Sequence, residues 1–217
     1  MRPGRLVFKL ETSERRLSNR RCIEIKRADL AECPAWLRYG SPLHSGPTQP
    51  ALSRKGRRLQ GVIRLNIPGR GILELEHLVL DLNGTIALDG EVLEGVPQRL
   101  AALSENLTAH LVTADTRGQA TAVAGQLGVE LALVAPGDEA KQKRALVERL
   151  GAERVVAVGN GANDAEMLQA AALGIAVLGP EGLAVEALRA ADVVMASIHD
   201  ALDLLLHPRR LMATLRK

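Results

Sequence analysis

From residue 61 onward the apolar positions fall into short runs separated at regular intervals by glycine, proline or polar breaks. Ile63 to Ile67 and Ile72 to Leu75 flank Pro68-Gly69-Arg70-Gly71, which predicts a β-hairpin. The run 78–82 has the continuous apolar character of a buried parallel strand, interrupted by Asp81 at its end. Ile86 to Leu88 and Glu91 to Leu93 bracket Asp89-Gly90, a two-residue hairpin signal, and this hairpin is placed to act as a flap over the Asp81 turn. Pro97 introduces a helix to about Glu105. A strand, Ala109 to Val112, ends in Thr113; a helix from about Gly118 to Leu127 stops at Gly128; strand Glu130 to Val134 stops at Pro136. The longest helix spans about Asp138 to Leu150, opens with acidic residues and is closed by Gly151. Strand Val155 to Val158 runs into Gly159-Asn160-Gly161-Ala162-Asn163-Asp164. A helix to about Ala172, strand Ile175 to Leu178, helix 182–190 and strand Val193-Val194 follow. Ser197 caps a last helix containing Asp200 to Leu206.

Strands alternating with helices of about ten residues predict an α/β fold, a three-layer doubly wound parallel sheet. Right-handed crossovers gather the strand C-termini on one edge, where such folds bind their ligands. The short N-terminal β-hairpin is an appendage to that sheet.

Composition separates the two parts of the chain. Residues 1–60 carry fourteen Lys+Arg against five Asp+Glu, a net +9, and the remainder fourteen against twenty, a net −6, so the overall +3 hides opposite halves. All three aromatics (Phe8, Trp36, Tyr39) and both cysteines (Cys22, Cys33) lie in the first forty residues. The organisation expected is therefore a basic extension over 1–60 and an α/β domain over 61–217. The extension shows little periodicity beyond short patches at 6–8 and 22–25, is rich in Pro, Gly and Ser from Gly40 to Pro50, and reads as a disordered, solvated tail. Its Arg clusters could bind nucleic acid or phosphates, but no recognisable motif surrounds them. A third reading starts translation near Val62, which a GTG codon would specify. Two cysteines argue against a disulfide scaffold and suit a reducing compartment. No apolar run approaches the ~18–20 residues of a membrane span and no signal-peptide segment opens the chain, so a cytoplasmic protein without membrane partners is expected.

The predicted strand ends carry chemistry. A carboxylate at a strand end, Asp81, can be a nucleophile or a metal ligand. The Asn83-Gly84-Thr85 turn follows, and because Gly84 imposes no side chain, two of the next three backbone amides can point back at what the carboxylate touches. The Thr113 hydroxyl and a lysine ammonium, Lys143 or Lys141, suit phosphoryl oxygens. Asp164, on a glycine-rich loop, can share a hard divalent ion with Asp81, and Mg²⁺ is the natural candidate. Singly, each has an ordinary structural alternative: a strand-end cap, a solvated helix face, a helix N-terminal acid. Four in this order on successive edges are harder to explain that way.

These residues give the resemblance. Residues 63–217 resemble a haloacid dehalogenase-like (HAD) hydrolase, and specifically the soluble relatives of the P-type ATPase phosphorylation domain. Asp81-Leu82-Asn83-Gly84-Thr85 resembles the first motif, Leu111-Val112-Thr113-Ala114-Asp115 the second, Lys143 the third and Gly159 to Asp164 the fourth; Ala190 to Val194 also resembles the ATPase pattern. The resemblance implies that Asp81 attacks a phosphoryl group and forms an aspartyl-phosphate. It places Mg²⁺ on Asp81, the Asn83 carbonyl and the fourth motif (Asn160, Asp164), and phosphate contacts at Gly84, Thr85, Thr113, Ala114 and Lys143. Lys143 is preferred to Lys141 because Val147 and Leu150 then fall on the core-facing stripe that the family pattern expects.

Two positions depart from the family. Asn83 stands where phosphatases carry an Asp that acts as general acid and base, an assistance typically worth ~10²–10⁴-fold, so dephosphorylation should be slow. Asn160 stands where the fourth motif has Asp, so the ion should be held more weakly. The intervals between motifs leave no room for a cap domain, so the substrate is either large or screened by another subunit. The leading reading is a Mg²⁺-dependent phosphohydrolase acting on a phosphorylated small molecule or nucleotide. The alternative is a catalytically weakened phosphate-binding or regulatory module working through a partner.

Overall fold

A computed structural model describes residues 61–114 and 118–217. The expectations for residues 1–60 and for Asp115 lie outside the described residues. Among the described residues ten strands and seven α-helices follow in order. A hairpin of β1 (Ile63–Ile67) and β2 (Gly71–Leu75) leads into β3 (His77–Asp81). A second hairpin, β4 (Ala87–Leu88) and β5 (Glu91–Val92), turns at Asp89-Gly90 with both residues at positive φ, the requirement that the Asp-Gly pair meets. Then come α1 (Val96–Leu103), β6 (Thr108–Thr113), α2 (Ala120–Leu127), β7 (Glu130–Leu133) and α3 (Glu139–Leu150). The chain ends with β8 (Val155–Gly159), α4 (Ala165–Ala170), β9 (Leu173–Val177), α5 (Val185–Ala190), β10 (Val193–Met195), α6 (Ile198–Leu206) and α7 (Pro208–Leu215).

Six strands form one parallel sheet in the order β10-β9-β8-β3-β6-β7. Alternate residues of each strand enter opposite cores, as the pleat requires. Leu78, Leu80, Leu111, Val156, Val158 and Ile175 face the side covered by the β1–β2 hairpin, α1, α2, α6 and α7. Val79, Val112, Val155, Ala157 and Ala176 face α3, α4 and α5. The three-layer, doubly wound expectation holds.

The chain runs outward from β3 through β6 to β7, then returns to the other side of β3 to lay down β8. Strand order therefore reverses between β3 and β8, and the crevice for a ligand opens at their C-terminal ends. Only the β4–β5 hairpin and α1 separate β3 from β6, so no cap domain is inserted there.

Several boundaries differ from expectation: β9 starts two residues earlier, at Leu173, α1 ends two earlier, at Leu103, and α2 starts two later, at Ala120. α5 starts at Val185 instead of 182, because residues 179–182 form a tight turn with Gly182 at φ +93° and its amide donating to Gly179 O at 2.9 Å. α4 ends at Ala170 instead of Ala172, whose amide leaves the helix to donate to Ala152 O at 2.8 Å. A seventh helix begins at Pro208, a residue that can open a helix because its first turn needs no amide there. Among the described residues no helix is long and apolar enough to cross a membrane.

Candidate active site

β3 places Asp81 beside Val112 of β6, and β8 pairs alongside β3 up to Leu80 and Val158. Asp81 and the loop after β8 thus emerge side by side at the crevice. Beyond Asp81 the chain turns sharply: Ile86 and Ala87 amides both donate to Leu82 O, at 3.1 and 2.9 Å, and the Gly84 amide donates to Ala87 O at 2.8 Å. Gly84 sits at φ +75°, a conformation glycine adopts without strain. This corrects one expectation: the Gly84 amide is committed within its own turn and does not point at a phosphoryl site.

Lys143 reaches the crevice from α3. Three hydrogen bonds fix the entry of that helix: Gln142 Oε1 accepts from the Ala135 amide at 2.8 Å, and Gln142 Nε2 donates to Ala135 O at 2.9 Å and Gly137 O at 2.8 Å. Lys143, Leu146 and Val147 then form the buried stripe of α3, and Leu150 packs partly buried against the same core. Lys143 is 1% exposed; its Nζ donates to Asp81 Oδ1 at 2.7 Å and to Asp164 Oδ1 at 2.6 Å. Lys141, on the opposite face, is exposed and pairs with Asp138, at 3.2 Å.

Asp164 is fully buried and has both oxygens engaged. Oδ1 takes Lys143, and Oδ2 accepts the amides of Asn160 at 3.0 Å and Gly161 at 2.9 Å. Gly159 makes this possible, since a Cβ there would lie 2.5 Å from Asp164 Oδ2. Asp164 therefore shapes its loop and aims Lys143.

On the other side of Asp81, Thr85 Oγ1 lies 3.3 Å from Asp81 Oδ2 and 3.1 Å from Asn160 Oδ1, with its single proton shared between them. Thr85 is thus buried inside the network. Asn160 is 7% exposed, and its Nδ2 donates to Gly182 O at 3.1 Å. Thr113 ends β6, buried, one residue beyond the partner of Asp81, and its carbonyl accepts the Val134 amide at 3.0 Å; Ala114 follows, partly buried. Asn83, partly buried, bridges to Ala87 across the turn.

The electrostatics follow from two carboxylates sharing one ammonium. With all three ionised the cluster keeps one uncompensated negative charge in a buried place, which is costly. Burial first, then the Asp164 carboxylate, push the Asp81 carboxyl up to about 7, although the Lys143 ammonium and the Leu82 amide oppose them. For Lys143 burial alone would lower the pKa, but Asp81 and Asp164 outweigh it and hold the ammonium above its ordinary value.

Among the described residues no three His, Cys, Asp or Glu side chains gather around one point. The donors present are hard oxygens, Asp81 Oδ2 and Asn160 Oδ1, which both face Thr85 Oγ1. Such a set, together with the excess negative charge, fits a small hard cation, which needs only one or two carboxylates with phosphate and water completing its shell.

The chain is similar to several known proteins. An uncharacterised protein of Methanocaldococcus jannaschii is 43% identical over 84 residues, 37% of this chain and 90% of that protein. Copper-transporting ATPase 2 of Rhizobium meliloti is 34% identical over 117 residues, 54% of this chain but only 14% of the ATPase. In structure, the chain is similar to 3-deoxy-D-manno-octulosonate 8-phosphate phosphatase from Moraxella catarrhalis, solved with magnesium, phosphate and KDO. The TM-score is 0.50 at 16% identity, covering 65% of this chain and 94% of that one. The cobalt-bound deoxy-D-mannose-octulosonate 8-phosphate phosphatase of Haemophilus influenzae gives a TM-score of 0.51 at 13% identity, covering 61% and 88%. At such identities the likeness is one of fold. The sequence model of the family described as haloacid dehalogenase-like hydrolase matches residues 49–172, more than half of the chain and every motif from Asp81 to Asp164. With that match on the same residues that converge at the β3–β8 crevice, the chain belongs to the haloacid dehalogenase-like hydrolases.

Proposed function

We propose that this protein is a phosphohydrolase working through an aspartyl-phosphate on Asp81. The observation that carries the reading is the contact of buried Lys143 with both Asp81 and Asp164. A permanently charged group in a dry place next to a carboxylate nucleophile is what transfer of a phosphoryl group demands, since its oxygens bring negative charge toward another anion. An Asp81 oxygen forms a bond to phosphorus as the bond to the leaving oxygen breaks. Lys143 offsets the charge on the phosphoryl oxygens, with the Thr113 hydroxyl as a second contact. Water then attacks phosphorus, the acyl-phosphate bond breaks, and phosphate leaves with Asp81 regenerated. In both steps a proton must move, and the amide of Asn83 can neither give nor take one. Solvent has to serve, so the phosphoenzyme is long-lived.

Asp81, Asn160 and the Asn83 carbonyl would hold Mg²⁺, with Asp164 acting through the loop and Lys143. Bound there, a divalent cation neutralises charge on the carboxylates and on the phosphoryl oxygens. Asp81 must be ionised to attack, and because burial and then the Asp164 carboxylate push its carboxyl up, added positive charge beside it would favour the attacking form.

A recess of about 440 Å³ beside Thr85, walled by Leu93, Leu178, Pro180, Ile198 and His199, has room for the organic part of a phosphorylated small molecule or nucleotide. With no cap, a second copy of the chain covering the crevice is part of this proposal. An ATPase activity rests only on the similarity to a 14% portion of much larger ATPases.

Asn83 and Asn160 favour a second reading, a phosphate-responsive module that is phosphorylated but turns over little. One experiment addresses both. The full-length protein and Asp81→Asn are assayed for phosphatase and ATPase activity with and without Mg²⁺, and incubated with radiolabelled acetyl phosphate. Mg²⁺-dependent label on the wild type and none on Asp81→Asn is expected. Equal inertness of both proteins, with no label, would end the hydrolase proposal. Label without turnover would favour the module.

A further inference from the structure

The turn Gly179 to Gly182, between β9 and α5, is bound to both catalytic loops. Gly182 O accepts Asn160 Nδ2 at 3.1 Å, the Ala184 amide donates to Asn160 O at 2.9 Å, and Gly179 packs so close to the Asp81 turn that a Cβ there would lie 2.5 Å from Gly84 O. At the apex of this turn stands Glu181. A Cβ on Gly84 would lie 2.6 Å from Glu181 Oε2, 2.7 Å from Asn160 Nδ2 and 3.1 Å from Asn160 Oδ1. The Glu181 carboxylate therefore rests against Gly84 of the Asp81–Thr85 turn, beside the side-chain amide of Asn160.

We propose that Glu181 supplies to the cation the carboxylate that the fourth motif lacks at Asn160. The inference rests on the metal-dependent reading above and adds a residue to it. Affinity for a hard cation rises with the negative charge of its oxygen donors, and a carboxylate can act directly or by holding one of the ion's waters. Asn160 and Glu181 divide between them what one Asp would do. The Asn160 Oδ1 stays on the Asp81 side, while its amide, which an Asp could not offer, fastens the turn that carries Glu181. An Asp at 160 would set a carboxylate against the Gly182 carbonyl. The exchange is thus a relocation of charge by one strand, from the end of β8 to the end of β9. Nothing in the sequence around Glu181 marks it as functional; only its place at the C-terminal edge of the next strand does.

Mn²⁺ binding to the full-length protein, followed by electron paramagnetic resonance without substrate, tests this. Glu181→Gln should weaken Mn²⁺ binding about ten-fold or more, and Asp81→Asn should weaken it at least as much. Glu186→Gln, on the same segment but in α5, should bind as the wild type does. Because Glu181 is exposed and its turn is held by main-chain and Asn160 contacts, Glu181→Gln should melt at the wild-type temperature in metal-free buffer. Wild-type Mn²⁺ affinity in Glu181→Gln alongside a loss in Asp81→Asn would overturn this inference and leave the hydrolase reading standing. Wild-type affinity in both variants would overturn the metal site itself.

Discussion

Asn83, two residues beyond Asp81, sets how fast the proposed reaction can run. Asn83 has the size and turn propensity of Asp and bridges to Ala87 as an Asp could, so it leaves the local backbone intact and removes only a titratable proton. Asn83→Asp is therefore expected to raise steady-state turnover of an aryl phosphate by ~10²-fold or more, without a change in melting temperature. If turnover stays the same, proton transfer does not limit the reaction. A second buried residue makes a prediction about pH. His110 lies in β6, between β3 and β7, with Nε2 3.1 Å from His77 Nδ1 and Nδ1 3.2 Å from Glu130 Oε2. Burial, opposed by Glu130 and reinforced by His77 and Arg149, lowers its pKa below 6.5. A histidine with a depressed folded pKa takes its proton more readily when the chain is unfolded. Its contribution is complete above the unfolded value and is lost as pH falls from about 6.5 toward the folded value. Urea midpoints at pH 7.5 and 5.5 should therefore diverge in the wild type and draw closer in His110→Gln; equal divergence in both proteins would assign the pH effect elsewhere.

The helix α3 shows what could be foreseen in an element and what could not. Its length, acidic start and closing Gly151 are local properties, and they located it to within one residue. The choice of Lys143 over Lys141 needed the apolar stripe as a guide, because two lysines two residues apart point to nearly opposite faces of any helix. That difference has consequences that can be measured. Lys143→Ala strands two buried carboxylates, which should cost ~3–5 kcal/mol and abolish phosphoenzyme formation. Lys141→Ala removes an exposed surface pair, so stability should change by less than ~0.5 kcal/mol and labelling should persist. Denaturation curves and acetyl phosphate labelling of the two variants decide the matter, and any reversal of that order would move the third motif to Lys141. Other parts were not legible. The bond that ties up the Gly84 amide and the hold of Gln142 on the helix entry are local turn contacts that periodicity does not encode, and the turn carrying Glu181 depends on contacts with distant segments. The late start of α5 has the same origin, since the turn that delays it is tied to Asn160 from the β8 loop. Local patterning thus located the strand ends and the helix that carry the four motifs, whereas the contacts completing the site come from topology.

At the scale of the molecule the two edges of the sheet have different work. The C-terminal edge holds the crevice, and its polar groups are in tension: two carboxylates against one ammonium. At the opposite edge, polar groups are spent on holding layers together. Asp192, in the segment that resembles the ATPase pattern, stands just before β10. Its Oδ2 accepts the Gly174 amide at 2.9 Å and its Oδ1 accepts Arg70 Nη2 at 3.0 Å, while its own amide donates to Gly174 O at 2.8 Å. Arg70 comes from the β1–β2 turn and also donates to Ala172 O at 3.1 Å, so the hairpin is fastened to the starts of β9 and β10. These bonds lie at the far ends of the strands from Asp81, which makes a separation of effects testable. Asp192→Ala strips an acceptor from a partly buried main-chain amide and from Arg70 together, and should destabilise by ~1–3 kcal/mol. Arg70→Ala leaves the Gly174 amide bonded and should cost less, and Asp192→Asn, which keeps one oxygen, should fall between the wild type and Asp192→Ala. In all three, the phosphoenzyme formed per folded molecule should equal that of the wild type. Chemical denaturation beside quantitative labelling measures both quantities on the same samples. A loss of labelling in Asp192→Ala at conditions where it remains folded would mean that this segment serves the site as well as the fold, and that the two edges are coupled through β9.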